Sequence, residues 1–165
     1  MSLSPAALSF QNRATSWLLM RFWMWFKLPS AAFAGVGCKR LDAVGCETTV
    51  PYGWRSQNPF QSTYFAAQAM AAELSTGALV LLATMDSGVP FSTLILGLEA
   101  SFGKKAVSTT TFTCTGGDAV FRAVAEAKAT GEARTIVLET VGVQADGSEV
   151  SRFRFTWSVK AKSKR

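Results

Sequence analysis

The sequence predicts an α+β domain in which an antiparallel sheet curls around one long central helix. Three observations carry that reading. Residues 58–77 form an alanine-rich run with no Gly or Pro from 60 to 76, and Glu73 is the one charge between Arg55 and Asp86. A helix apolar nearly all round is normally enclosed by the rest of its protein. Near the C-terminus, Phe153, Phe155, Trp157 and Val159 alternate with Arg152, Arg154, Thr156 and Ser158, after an Asp146-Gly147 turn signal. That is the pattern of a hairpin with one core face and one wet face. Finally, the order helix, hairpin, long helix, strand pair, short helix, long hairpin keeps the helices apart from an antiparallel sheet.

Length and composition bound the rest. With 165 residues, 48% of them hydrophobic, and with five Trp and twelve Phe, the chain is one domain over 1–165 with an ample core. Cys38, Cys46 and Cys114 form no CxxC pair, which suits a reducing, cytoplasmic setting with thiols used as small core residues. No histidine is present. That removes Ser-His-Asp and Cys-His catalysis and leaves no zinc site, so no metal or cofactor is expected. Part of the +6 formal charge sits in a basic tail over 160–165. The remaining basic residues are dispersed rather than interleaved with aromatics, which argues against nucleic acid as a partner.

The elements follow in order. Pro5 after Ser4 opens an apolar N-terminal helix, taken to run over 5–28 and to end at Pro29. Its run over 17–28 is interrupted by Arg21 and Lys27 and is shorter than the ~20 apolar residues of a membrane span. Three roles stay open for it: a helix packed on the domain or a partner subunit, a contact with a membrane surface, or an apolar lid on an acyl pocket. A small-residue connection over 31–37 leads to a short hairpin, 38–41 with 46–52, which places Cys46, Thr48, Val50 and Tyr52 on one face. The central helix follows, with 78–85 continuing its apolar character as far as Asp86-Ser87-Gly88. Strands are expected over 91–100 and 105–114 about a turn at Gly103-Lys104. A short amphipathic helix over 118–130 then ends at Gly131, and a long hairpin pairs 133–144 with 149–160.

A sheet wrapped on a buried alanine-rich helix resembles the hotdog fold, because small side chains let a curved sheet come close. The likeness extends to a motif of phenylacetyl-CoA-type thioesterases, in which an Asn precedes the helix, His-Gly-Gly opens it, and an acidic residue and a Gly follow. Without gaps, Asn58 falls on the Asn, Tyr64-Phe65-Ala66 on His-Gly-Gly, Glu73 on the acid and Gly77 on the Gly. The helix opening therefore departs from the motif in all three side chains. Val50-Pro51-Tyr52, Arg55, Asn58-Pro59 and Ala72-Glu73-Leu74 look closer still to a bacterial branch of the same superfamily known only as a domain of unknown function. The resemblance implies an acyl-CoA or related acyl thioester as substrate. It also implies a homodimer or dimer of dimers that builds each site from two subunits, with oxyanion donors from one and the carboxylate from the other.

Within that resemblance Glu73 is the catalytic candidate, as general base toward water or as nucleophile. Ser62, Ala66, Ala69, Glu73 and Thr76 share one helical stripe of small residues; the competing role for Glu73 is a solvent-edge carboxylate. Asn58 is either a water- or carbonyl-orienting side chain or the N-cap of a helix opening at Pro59. If the helix instead opens near Ser62, the backbone of Phe65 and Ala66 offers oxyanion donors. Tyr52, Trp54, Arg55, Ser62, Tyr64 and Thr76 are candidates for substrate binding, and Arg55, Arg152 and Arg154 for coenzyme A phosphates. The alternatives are a non-catalytic acyl-CoA or lipid-binding protein, and a membrane-associated structural protein acting through the N-terminal helix.

Overall fold

Helix α4 (Phe65–Asp86) is the axis of the molecule, and a six-stranded antiparallel sheet in the order β1-β2-β4-β5-β6-β3 curls around it. The computed structural model describes residues 2–162, so 163–165 of the basic tail expected over 160–165 lie outside the described residues, while Lys160 and Ala161 belong to the last strand. The strands are β1 (Gly37–Leu41), β2 (Cys46–Val50), β3 (Phe91–Phe102), β4 (Thr110–Cys114), β5 (Arg134–Gln144) and β6 (Glu149–Ala161). Helices α1 (Pro5–Thr15), α2 (Trp17–Lys27) and α3 (Pro29–Ala34) precede the sheet, and α5 (Gly117–Thr130) joins β4 to β5. This is the hotdog arrangement.

Helix α4 is long and apolar enough to cross a membrane, yet 61% of its most apolar window is buried inside the fold. Its alanines explain the enclosure: Ala71, Ala72 and Ala78 are buried and keep the sheet close. The approach is close enough for hydroxyls to tie helix to sheet. Thr48 Oγ1 of β2 donates to the Ala71 carbonyl at 2.6 Å, and Ser75 Oγ donates to Thr140 Oγ1 of β5 at 2.8 Å. On β6, Ser151 Oγ donates to Gln68 Oε1 at 2.8 Å and Trp157 Nε1 donates to Thr76 Oγ1 at 3.1 Å. Buried polar groups are mostly paired in this way, Thr110 Oγ1 being an exception among the described residues.

The long hairpin forms as its alternation predicts, with Phe153, Phe155, Trp157 and Val159 buried on the helix side. Cys46, Thr48 and Val50 likewise share the buried face of β2. Cys38, Cys46 and Cys114 are free thiols, Cys46 and Cys114 being buried. Gly142 is needed for packing, because a Cβ there would meet the Phe112 ring at 2.6 Å.

Five expectations are corrected. The N-terminal helix is not continuous over 5–28, because Ser16 is extended (φ −78°, ψ 115°) and separates α1 from α2. The break turns Met20 and Met24 inward, where both are buried. The segment expected to be a connection contains α3, started by Pro29 and stopped by Gly35 at φ +84°. Helix α4 opens at Phe65, later than either start weighed, Pro59 or near Ser62, and runs unbroken through Gly77 to Asp86. Strand β4 begins at Thr110 rather than 105, since the preceding segment bonds elsewhere: the Ala106 carbonyl accepts from Thr63 N at 2.7 Å, and Val107 N donates to Gln144 Oε1 at 3.1 Å. Strands β3 and β4 are not partners either, for β3 pairs along its length with β6 and forms an edge.

One tether reaches across the chain. Ser4 caps α1 through its side chain, which accepts from Ala7 N, while its own N–H donates to Asp86 Oδ1 at 2.6 Å.

Candidate active site

Most of α4 is buried, but Ala66, Ala69, Met70, Glu73, Gly77 and Leu81 are only half-buried and form one stripe at helical spacing. Two hollows lie along that stripe. The first, about 410 Å³, is at the N-terminal end and is lined by Phe33, Arg55, Gln57, Tyr64, Ala66 and Met70 among others. The second, about 710 Å³, lies between α4 and the N-terminal helices. Its walls include Phe10, Met20, Trp23, Leu81, Thr93 and Trp157, and its charged residues are Arg13, Lys27 and Glu73.

Glu73 is set in an apolar wall. Its carboxylate makes no hydrogen bond or ion pair among the described residues, and burial pushes its pKa above the ordinary carboxylate range. The side chain leans toward the C-terminal end of α4, so that Oε1 lies 2.8 Å from where a Cβ on Gly77 would stand. The Trp157 ring closes on the same point at 3.4 Å. A carboxylate whose pKa is raised by burial is a stronger base than an ordinary one, which suits it to take a proton from water and return it.

The opening of α4 supplies donors. Tyr64 N is engaged with the Ser56 carbonyl at 2.7 Å, and Gln68 N makes the first intrahelical bond, to the Tyr64 carbonyl at 3.1 Å. The N–H groups of Phe65, Ala66 and Ala67 therefore find no acceptor among the described residues, and no side chain caps them. Such a turn, at the positive end of a 22-residue helix, suits a developing oxyanion. Ala67 was not among the sequence candidates; the starts at Pro59 and near Ser62, six and three residues earlier, would have hidden it.

Donors and carboxylate do not meet within one chain. Seven residues separate Ala66 from Glu73, about 10 Å along the axis, and the carboxylate leans away from the donors. One thioester carbonyl needs both within hydrogen-bond reach.

The remaining candidates fall into three places. Asn58 and Ser62 lie in the turn before α4: Asn58 Oδ1 accepts from Phe60 N at 3.0 Å, Ser62 N at 3.2 Å and Ser62 Oγ at 3.3 Å. Asn58 is therefore not the helix cap but the hub of an Asx turn, followed by Gln61 at φ +59°. Because Ser62 precedes the helix, it leaves the stripe proposed from the sequence. Around the first hollow, Arg55 and Tyr64 line the wall, half-buried Tyr52 lies in the preceding loop, and exposed Trp54 packs edge-on against Phe33 with ring centroids 6.0 Å apart. Thr76 is fully buried, held by Trp157 and by its own bond to the Glu73 carbonyl. On the outer face of the sheet, Arg152 pairs with Glu139 and Glu149, and Arg154 with Glu99 at 3.4 Å. Among the described residues no cluster of three His, Cys, Asp or Glu could hold a metal ion.

Sequence reasoning missed the wall opposite Glu73. Phe10, Arg13 and α2 enclose the second hollow, and only the general idea of an apolar lid anticipated this.

Residues 14–159 match the family described as a domain of unknown function (DUF4442). A comparison with curated proteins finds no match. Among solved structures, the chain is similar to PA5026 of Pseudomonas aeruginosa, a protein of unknown function described as a probable thioesterase. The TM-score is 0.76 at 20% identity, covering 88% of this chain and 95% of that one. Thioesterase HI1161 of Haemophilus influenzae aligns with a TM-score of 0.64 at 14% identity, covering 88% and 91%. The PaaI protein of E. coli, from the phenylacetic acid degradation operon, aligns with 0.63 at 14% identity, covering 98% and 97%. Likeness at these identities establishes the hotdog fold.

Proposed function

We propose that this chain, which belongs to the DUF4442 family, hydrolyses acyl thioesters, with coenzyme A or a related thiol as leaving group. The observation that carries the reading is Glu73: a carboxylate without a partner, its pKa raised by burial, in the wall of an apolar cavity. Glu73 takes a proton from water as the oxygen adds to the thioester carbon. The tetrahedral intermediate collapses with loss of the C–S bond, and the proton passes to the departing sulfur. The N–H groups at the opening of α4 hold the oxyanion meanwhile.

Because those donors stand about 10 Å along the helix from Glu73, the reading requires a homodimer in which a second copy presents its helix opening to the carboxylate. The twelve-residue edge β3 supports such a contact, since it is unpaired on one side and exposes Leu94, Leu96, Leu98 and Phe102. Arg55, beside the donors in the first hollow, suits the phosphates of coenzyme A. Coenzyme A enters only as part of the substrate. A cytoplasmic location belongs to the same reading.

A non-catalytic acyl-CoA binder is the second reading, favoured by one observation. Tyr64 and Phe65, 47% and 56% exposed, put two aromatic rings at the helix opening where the thioesterase motif has His-Gly. An acyl-CoA panel assayed with the wild type and Glu73→Gln separates the two. Turnover lost in the variant supports hydrolysis through Glu73. Equal turnover in both removes Glu73 from the chemistry, and tight binding without turnover in both supports the binder.

A further inference from the structure

Helix α2 has more apolar surface than the fold covers. Met20 and Met24 are buried, and Leu19 and Trp23 face the cavity over Glu73. Trp17, Leu18, Phe22, Trp25 and Phe26 remain 49% to 73% exposed. Leu18, Phe22, Trp25 and Phe26 recur at spacings of four, three and one, so they form one exposed row, of which Phe22 and Phe26, their rings 4.9 Å apart, also line the mouth of that cavity. A row of large aromatics left in water costs free energy unless something covers it.

Charge indicates what that is. Between residues 2 and 41 the chain carries Arg13, Arg21, Lys27, Lys39 and Arg40 and no acidic residue, and of these Arg40 is taken up by Asp42 and Glu47. If two copies met symmetrically through α2, Arg21 and Lys27 would face cations with no carboxylate from this segment between them. An anionic bilayer offers the complement: phosphates for the cations, and for Trp and Phe a boundary layer that takes their apolar bodies. At eleven residues, α2 is about 16 Å long and cannot cross a ~30 Å hydrocarbon layer. It can lie along one.

We propose that α2 seats its outward row in the headgroup layer of an anionic membrane, bringing the cavity over Glu73 to the lipid surface. An acyl chain carried by the membrane then enters between α2 and α4 without crossing water. That last step rests on the thioester reading; the docking does not.

The test uses the full chain and vesicles of phosphatidylcholine with and without phosphatidylglycerol, read by co-sedimentation and tryptophan emission. Trp17, Trp23 and Trp25 make α2 its own reporter. The expected result is binding to phosphatidylglycerol vesicles that weakens with salt and is accompanied by a blue shift. Partition should fall tenfold or more in Arg21→Glu and in the combined Trp17→Ser, Leu18→Ser and Trp25→Ser variant, both checked for folding by melting temperature. Wild-type binding that is absent or indifferent to anionic lipid overturns the proposal. So does wild-type-like binding by both variants, or a change from dimer to monomer in the aromatic variant while no form binds vesicles, which would assign α2 to a second copy. Since vesicle binding is read without substrate, failure to find turnover bears on the thioester reading alone.

Discussion

Glu73 Oε1 occupies the space that a methyl group on Gly77 would fill, 2.8 Å from the Cβ position and one helical turn further along α4. The glycine is thus what allows the carboxylate to lie where it does. The same pairing accounts for an acidic residue and a glycine four positions apart in an otherwise alanine-rich helix.

Gly77→Ala should separate stability from activity. The atom displaced is the end of a flexible side chain, and alanine favours a helix interior over glycine by ~1 kcal/mol. The melting temperature is expected to hold or to rise by about 2–4 °C. Thioester turnover should fall because the carboxylate is pushed from its place. A variant that melts lower but turns over normally would contradict this.

Glu73→Gln should change how stability depends on pH. Burial raises the folded-state pKa of Glu73 above its unfolded value, so the folded chain holds that proton more tightly. The wild type is therefore favoured below the unfolded carboxylate pKa and loses that advantage as pH rises through the folded one. The neutral glutamine has no such slope. Melting curves across pH should show the variant gaining on the wild type toward neutrality, and wild-type turnover should climb over the same window.

Thr76→Val tests a structural tie. It keeps the shape and removes the acceptor of Trp157 Nε1, leaving a buried N–H unpaired. The cost is expected to be about 1–3 kcal/mol, measured by chemical denaturation. No loss of stability would show that the indole finds another partner.

Leu96→Lys or Leu98→Glu, on the exposed edge β3, should convert the proposed dimer to a monomer in light scattering. If the oxyanion donors come from the second copy, turnover should fall about a hundredfold or more. A fully active monomer would place donors and carboxylate within one chain.

Much of this fold was legible in the sequence. The β5–β6 hairpin and α5 follow from periodicity, and the enclosure of α4 follows from its alanines. The start of α4 was not legible, because Asn58-Pro59 serves equally as a helix start and as an Asx turn; only the bonds from Phe60 and Ser62 to Asn58 Oδ1 distinguish them. The break at Ser16 was hidden because an apolar run reads alike on either side of a bend. Strand order was hidden because alternation gives each strand a face but not a neighbour. At the site, Glu73 stood out through its isolation in charge, whereas the opposite wall depends on where α1 and α2 pack, which no local pattern records. The hydroxyls of Thr48, Ser75, Thr140 and Ser151 looked like ordinary strand and helix residues until helix and sheet were seen to meet.

The bond from Ser4 N to Asp86 Oδ1 has a mechanical consequence. It fastens the first residue before α1 to the last residue of α4, so the roof over Glu73 is hinged to the floor at one corner. At the other corner Ser16 separates α1 from α2, and the buried Met20 and Met24 hold α2 against the fold, so the roof is two plates fastened at different points.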